Sequence, residues 1–256
     1  LHIVDRLQRQ MCIRDRRQPE LVSDGVSQGV LEALREKSAF DYLHVLDSKG
    51  VVLATARGDA RGLPVDETPI VRAALKQGRA ATGMRLMGPR ELSAESSQLA
   101  SRAYVEVLPT PRATPGGPRE VRDALVMECA VPIVQPPGRV TGVVRGGVVL
   151  TRNYDLVDAI RDNSFTQQVY RGKNFGTVTL FVNDVRVATN VIGPDGERAI
   201  GTRVSEEVAD KVLRRNQTWV GPAFVVDSWY MSAYEPIHDP DKQTIGVLYV
   251  GVLKDR

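Results

Sequence analysis

The side chains that most often make or break bonds are scarce in this chain, and their spacing suits no reaction. Histidine occurs three times, at His2, His44 and His238. None has a second histidine four residues away, as a zinc-binding helix needs, and no Gly-x-Ser-x-Gly turn offers a serine nucleophile. The two cysteines, Cys12 and Cys129, do not form a Cys-x-x-Cys pair, which excludes a zinc ribbon or a dithiol redox site. Cys129 lies in the apolar run 124–134 and reads as a small core residue. Asp155 and Asp158 stand three apart on a predicted helix, where a carboxylate pair is usually a solvated face. The stretch RGGVV at 145–149 lacks Gly-x-Gly-x-x-Gly spacing and supports no dinucleotide site. No nucleophile and base can be assembled, so the expectation is a protein that binds and does not catalyse, with no metal and no cofactor.

Composition narrows what it binds. Hydrophobic residues are 42% and charged residues 25% of the 256, enough apolar material for one large or two smaller globular domains. Lys and Arg number 34 against 31 Asp and Glu, a net +3, and no basic block carries interleaved aromatics. Nucleic acid is therefore not an expected partner. No apolar run reaches the roughly 18–20 residues of a membrane helix, and no signal peptide is visible. The hexapeptide MCIRDR at 11–16 reads as an artefact of sequence assembly, and residues 1–19 are treated as non-native.

Periodicity predicts the elements. Val22, Val26, Val30 and Leu34, with Leu31 beside them, form a helical stripe over 21–38. Residues 40–56 are two β-rich runs around Asp47-Ser48-Lys49-Gly50, a hairpin signal. A short helix follows over 68–77, with Thr68 as cap, Pro69 in the first turn and Gly78 as stop. Residues 109–119 hold four prolines and two glycines and read as a surface loop. Strands are expected at 124–134 and 139–150, then a helix over 153–170. A second hairpin is expected over 178–191 and a helix over 205–215 capped by Ser205, with further strands at 223–237 and 244–253.

The two halves repeat. Pro132-Ile133 matches Pro236-Ile237, Gly142-Val143 matches Gly246-Val247, and Gly147-Val148 matches Gly251-Val252, each pair 104 residues apart (236 minus 132). Upstream, Leu53-Ala54-Thr55 echoes Val187-Ala188-Thr189. Each half then reads helix, β-hairpin, short helix, strand, turn, strand, which is an α+β layer design with antiparallel strands.

The segments LTRNYDLVDAIRD, YRGKNFGTVTLF, DVRVATNV, GERAIGTRVSEEV, SWYMSAYEPI and TIGVLYVGVL, in this order, resemble the Cache 3/Cache 2 fusion sensors of bacterial histidine kinases and methyl-accepting chemotaxis receptors. The first half is similar more loosely, through HVLDSKGVVLATA, RAATG, RAYVEVLPTP and AVPI. The likeness runs over roughly residues 20–256 and is most specific over 147–253. It implies an α+β fold of two tandem PAS-like (Cache) modules, each an antiparallel sheet with flanking helices, along a long N-terminal helix. The expected division is an N-terminal helix at 1–40, a membrane-distal module at 41–152, a connecting helix at 153–175 and a membrane-proximal module at 176–256. It also implies a periplasmic location, membrane helices before residue 1 and after Arg256, a homodimer through the N-terminal helix, and a small-molecule ligand, with a carboxylate or amino acid favoured. The function implied is ligand sensing relayed to a cytoplasmic output module. The alternative is a ligand-free interaction module that relays a signal from a periplasmic partner protein.

Such modules bind ligands in mostly apolar pockets with a few fixed polar groups, and anions favour arginine, whose planar fork grips a carboxylate. The second-half candidates are Arg186, Asn190, Arg198, Thr202, Trp229, Tyr230 and Tyr234. In the first half they are Arg85, Arg102, Tyr104, Met127 and Arg145. Strand alternation puts Arg186 and Ala188 on one face and Val185 and Val187 on the other. Each candidate has a plainer reading: Arg186 pairing with Asp184, Asn190 capping a turn, Gly201-Thr202 leading into the next helix, and Trp229 and Tyr230 as packing. Double-module sensors generally bind ligand in the distal module, which is the first half here.

Overall fold

A computed structural model describes residues 28–65, 67–165, 169–170 and 173–254. In chain order the elements are α1 (Gln28–Ser38), β1 (Tyr42–Asp47), β2 (Val52–Thr55), α2 (Pro69–Gln77), β3 (Ala81–Met87), α3 (Pro89–Glu95), α4 (Ser97–Ala103), β4 (Val105–Glu106), β5 (Glu120–Val121), β6 (Ala124–Gln135) and β7 (Arg139–Val149). There follow α5 (Tyr154–Ser164), β8 (Val169–Tyr170), β9 (Lys173–Asn174), β10 (Gly176–Val182), β11 (Val185–Thr189), α6 (Glu206–Ala209) continued by a wide π turn (Asp210–Arg214), β12 (Trp219–Val225), β13 (Ser228–His238) and β14 (Thr244–Leu253). The fold is mixed α/β with antiparallel sheets and six α-helices among the described residues. The chain divides into two compact units, one of Leu1–Leu99 and Val126–Val149, the other of Ala100–Leu125 and Leu150–Arg256.

The first unit holds a five-stranded sheet in the order β2-β1-β7-β6-β3. One face carries Leu43, Val45, Cys129 and Val144 and packs on Leu31 and Leu34 of α1. The other carries Leu46, Val52, Ala130 and Val143 and packs on Ile70, Val71 and Ala74 of α2. Helices therefore cover both faces, because β1 and β7 are central strands with apolar residues at odd and even positions alike. The second unit repeats the design with the order β11-β10-β14-β13-β12.

The repeat extends to register. Pro132 pairs with Val143 and Ile133 with Gly142, as Pro236 pairs with Val247 and Ile237 with Gly246. The pairing then skips one residue at the same place, Thr141 in β7 and Ile245 in β14. At the other side of each sheet, β2 bulges at Leu53 and β11 at Val187. A bulge inserts one unpaired residue and turns every later side chain over.

That bulge corrects one face assignment. Thr179 pairs with Thr189 and Phe181 with Arg186, so Arg186 shares its face with Thr189, and Ala188 lies on the other. Four further expectations differ. In α1 the buried residue is Leu31 and Val30 is exposed; Val22, Val26 and residues 1–27 generally lie outside the described residues. Thr68 does not cap α2, since its hydroxyl donates to the Val65 carbonyl at 2.8 Å. The helix expected over 153–170 stops at Ser164, where Phe165 turns its ring onto Gly176, leaving no room there for a Cβ. The strand expected over 223–237 is two strands, β12 and β13, joined by the two-residue turn Val226-Asp227. The elements β3, α3 and α4 had no counterpart in the sequence pattern.

Candidate functional site

The inward face of each sheet carries polar residues in matching rows, and the two rows are chemically unlike. In the first unit Tyr42, Gly147 and Glu128 lie side by side across β1, β7 and β6. Gly147 is a notch: a Cβ there would strike the Tyr42 hydroxyl and the Met127 carbonyl. Through the notch the Tyr42 hydroxyl donates to Glu128 Oε2 at 2.7 Å. Arg85 Nε of β3 and Arg145 Nε of β7 each donate to the same oxygen at 2.9 Å, and Arg145 Nη2 does so at 2.7 Å. Arg85 also grips Glu91 of α3 with both terminal nitrogens, at 3.0 and 2.7 Å, and Arg145 Nη2 bonds Glu91 as well.

Two arginines and two glutamates thus neutralise each other in the interior. Burial pushes the Glu128 carboxyl up, but the guanidiniums of Arg145 and Arg85 outweigh it and hold it down at about 2. Burial likewise opposes, and the same two arginines still produce, a lowered Glu91. Burial and the Glu128 charge push the Tyr42 phenol well up. Beside this cluster His44 Nε2 sits 2.8 Å from Glu95 Oε1, both side chains buried.

In the second unit the equivalent positions lack acids. Arg145 is replaced, 104 residues on, by Tyr249, and Glu128 by Ser232. The Tyr249 hydroxyl bonds Thr177 Oγ1 at 2.9 Å. Tyr234 packs against Tyr249 with the rings tilted and their centroids 4.7 Å apart, and Trp219 meets Tyr234 edge-on at 5.6 Å. Phe181, Tyr230, Val204 and Val208 close the same cluster. Into it comes Arg186 of β11, 4% exposed, its guanidinium 5.4 Å from the centre of the Phe181 ring.

Among the described residues Arg186 makes one side-chain hydrogen bond, Nη1 to Thr202 Oγ1 at 2.9 Å, and the Thr202 hydroxyl donates to the Ala199 carbonyl at 2.8 Å. Its Nε is buried without a partner, and no ion pair reaches it among the described residues. Asp184 is taken by Arg203, whose Nε donates to it at 2.8 Å. The ionisable groups acting on Arg186 are the phenols of Tyr234, Tyr249 and Tyr230, with no carboxylate among them; burial lowers its affinity for its proton, yet a guanidinium stays charged at any ordinary pH. Burial pushes the Tyr230 phenol up to about 12 and Tyr234 and Tyr249 up as well, so all three keep their protons and remain available as donors.

The candidates therefore fall into three groups. Arg186, Thr202, Tyr230 and Tyr234 converge on one cluster. Phe181, Trp219, Tyr249, Thr177 and Ser232 complete it and escaped the sequence reading, although the 104-residue offset from Arg145 to Tyr249 pointed at the row. Arg85 and Arg145 meet each other through Glu128 and Glu91, two residues the sequence reading passed over. The remainder lie elsewhere. Arg198 is clamped by Asp158, at 3.1 and 2.7 Å, and stacks on Tyr154. Asn190 Oδ1 accepts from the Val178 amide at 2.7 Å. Trp229, 40% exposed, faces the opposite side beside Phe224, under Arg112. Arg102 donates to the Thr151 carbonyl at 3.1 Å, and the half-exposed Tyr104 carries Arg122 over its ring; both belong to the second unit, not the first. Met127 pairs with Val148 on the face away from Glu128.

Comparison with known proteins agrees with this geometry at the level of fold. Residues 148–256 match the model of the family described as single Cache domain 3. No curated protein matches the chain. An extracellular ligand-binding receptor from Desulfohalobium retbaense superposes with a TM-score of 0.53 at 10% identity, over 98% of this chain and 37% of that one, so this chain spans about a third of that receptor. The extracellular domain of a protein described as a histidine kinase, rpHK1S-Z16, superposes with a TM-score of 0.53 at 11% identity, over 99% of this chain and 88% of that one. No helix among the described residues is long and apolar enough to cross a membrane.

Proposed function

We propose that this chain is the extracytoplasmic sensing region of a transmembrane signal-transduction receptor, two tandem Cache modules that bind a small organic anion and catalyse nothing. The single Cache domain 3 likeness over residues 148–256 supports the second module. The identical strand order and bulge positions of the first sheet support a second copy of the same design. One observation carries the ligand: Arg186 is a buried, permanently charged guanidinium without a carboxylate partner among the described residues, set in a cluster of aromatic rings and hydroxyls. Burying such a charge alone is unfavourable by several kcal/mol, and an anionic ligand supplies the missing partner. The ligand then lies in the second unit and not the first, because the arginines of the first are already neutralised by Glu91 and Glu128. A ligand drawn onto Arg186 would shift β11, the edge strand of the sheet that also holds β14, and that shift would carry the signal; the sensor would work as a homodimer paired through its N-terminal helix.

Mass spectrometry of small molecules released by denaturing the purified protein tests this reading. The wild type should release an organic carboxylate, or gain thermal stability from one in a carboxylate and amino-acid panel, and Arg186→Gln should do neither. If neither protein releases or is stabilised by a ligand, the ligand-free interaction module takes its place; a ligand bound equally by both would lie away from Arg186 and overturn the site. That second reading has its own support in the exposed row Val220, Phe224, Trp229 and Met231 on the outer face of β12 and β13.

A further inference from the structure

We infer that the Arg186 site takes a monocarboxylate with an uncharged remainder, and discriminates against both amino acids and dicarboxylates. The inference rests on the reading that Arg186 meets the ligand, and adds the ligand's charge. The argument is a balance of buried charge. Among the described residues, the buried polar ones of the second unit are Thr151, Thr177, Thr179, Arg186, Thr189, Asn190 and Ser232, one cation and no carboxylate. One negative charge neutralises that set. An amino acid would bring an ammonium as well, and no buried acid is there to meet it among the described residues: Asp184 is held by Arg203 and Asp158 by Arg198, while Glu207 at Trp219 and Asp227 in the turn before Tyr230 are exposed to water. A dicarboxylate would bring a second negative charge with no second buried cation to meet it among the described residues, since Arg198 and Arg203 are spent in those same pairs. The first unit shows what this fold does when it buries several charges, matching Arg85 and Arg145 with Glu91 and Glu128 in equal number.

The rest of the site is suited to an uncharged remainder. The rings of Phe181, Trp219, Tyr234 and Tyr249 supply apolar area. The Tyr230 and Tyr234 hydroxyls, which keep their protons, have no hydrogen-bond partner among the described residues and can donate to a carboxylate oxygen. Thr202 fixes the guanidinium through Nη1 and leaves Nε open, so a carboxylate meets an oriented donor.

Matched series test the charge rule. Calorimetric titration of the 256-residue chain would compare propionate with alanine and succinate, hexanoate with norleucine and adipate, and 3-phenylpropionate with phenylalanine. Within a series only the charge pattern changes greatly. At least one monocarboxylate should bind, its amino and dicarboxylate counterparts should bind about 100-fold more weakly or worse, and Arg186→Gln should lose the binding. Thr202→Val keeps the arginine and should weaken the same ligand several-fold, which guards against an Arg186 variant that fails to fold. An amino acid or dicarboxylate that binds as tightly as its monocarboxylate, and depends on Arg186, overturns the charge rule and leaves the site standing. Absence of binding in every series, or binding that survives in a folded Arg186→Gln protein, overturns both.

Discussion

Arg145 and Arg186 are arginines buried in the inward faces of two sheets of one design, and their removal should have opposite consequences. Arg145→Met strips Glu128 and Glu91 of a shared partner and leaves buried negative charge. The expected loss is about 3–5 kcal/mol, the usual penalty for breaking a buried pair from one side. Arg186→Met removes a charge that no described residue neutralises, so the ligand-free protein should keep its stability or gain about 1–4 kcal/mol. Urea melts of ligand-free protein measure both; a destabilisation by Arg186→Met as large as that by Arg145→Met would mean that Arg186 has a partner inside the fold. The contrast was only half legible in the sequence. Arg145, Arg186, Tyr230 and Tyr234 stand out as residue types that bind anions. Glu128 does not, because it sits inside the apolar run ALVMECAVPIV, and only the register across Gly147 brings Tyr42 to it.

Strands and turns were read from sequence where glycine and proline punctuate them, as at Lys49-Gly50 and Pro136-Pro137-Gly138. The bulges were not, because Leu53 and Val187 are ordinary strand residues, and nothing local says that either is skipped by its partner. The skip at Val187 is what turns Arg186 toward Phe181 and the tyrosines. The helices α3 and α4 escaped for a different reason: each has seven residues, too few to display a helical period. Gly147 is the strand glycine that lets Tyr42 reach Glu128. Gly147→Ala should cost about 1–3 kcal/mol, the range for forcing an extra methyl into a packed interior, because the new Cβ meets both the Tyr42 hydroxyl and the Met127 backbone. Denaturant melts showing less than about 0.5 kcal/mol of change, the scatter of neutral surface substitutions, would show that β1 and β6 do not need the notch.

The same sheet has been filled in two ways, and the difference gives the molecule a graded response to acid. The first unit depends on ionised carboxylates. Glu128 is held at about 2 against an ordinary 4.5, and Glu91 is lowered in the same direction. A carboxyl depressed by folding contributes its full stabilisation above its ordinary value and loses it as pH falls toward the folded one. The window is therefore about pH 4.5 down to 2, and Glu128 alone accounts for at most about 3 kcal/mol across it. Among its described residues the second unit fully buries no carboxylate, and the one fully buried charge is a guanidinium, which does not titrate there. Acid should accordingly unfold the first unit ahead of the second. Both tryptophans of the chain, Trp219 and Trp229, belong to the second unit, so their fluorescence reports on it alone. On lowering the pH, far-UV circular dichroism should begin to fall while tryptophan emission is still native, and Glu128→Gln should already show the reduced first-unit stability at pH 7. Coincident transitions by the two probes would mean that the Glu128 cluster is not what limits stability in acid.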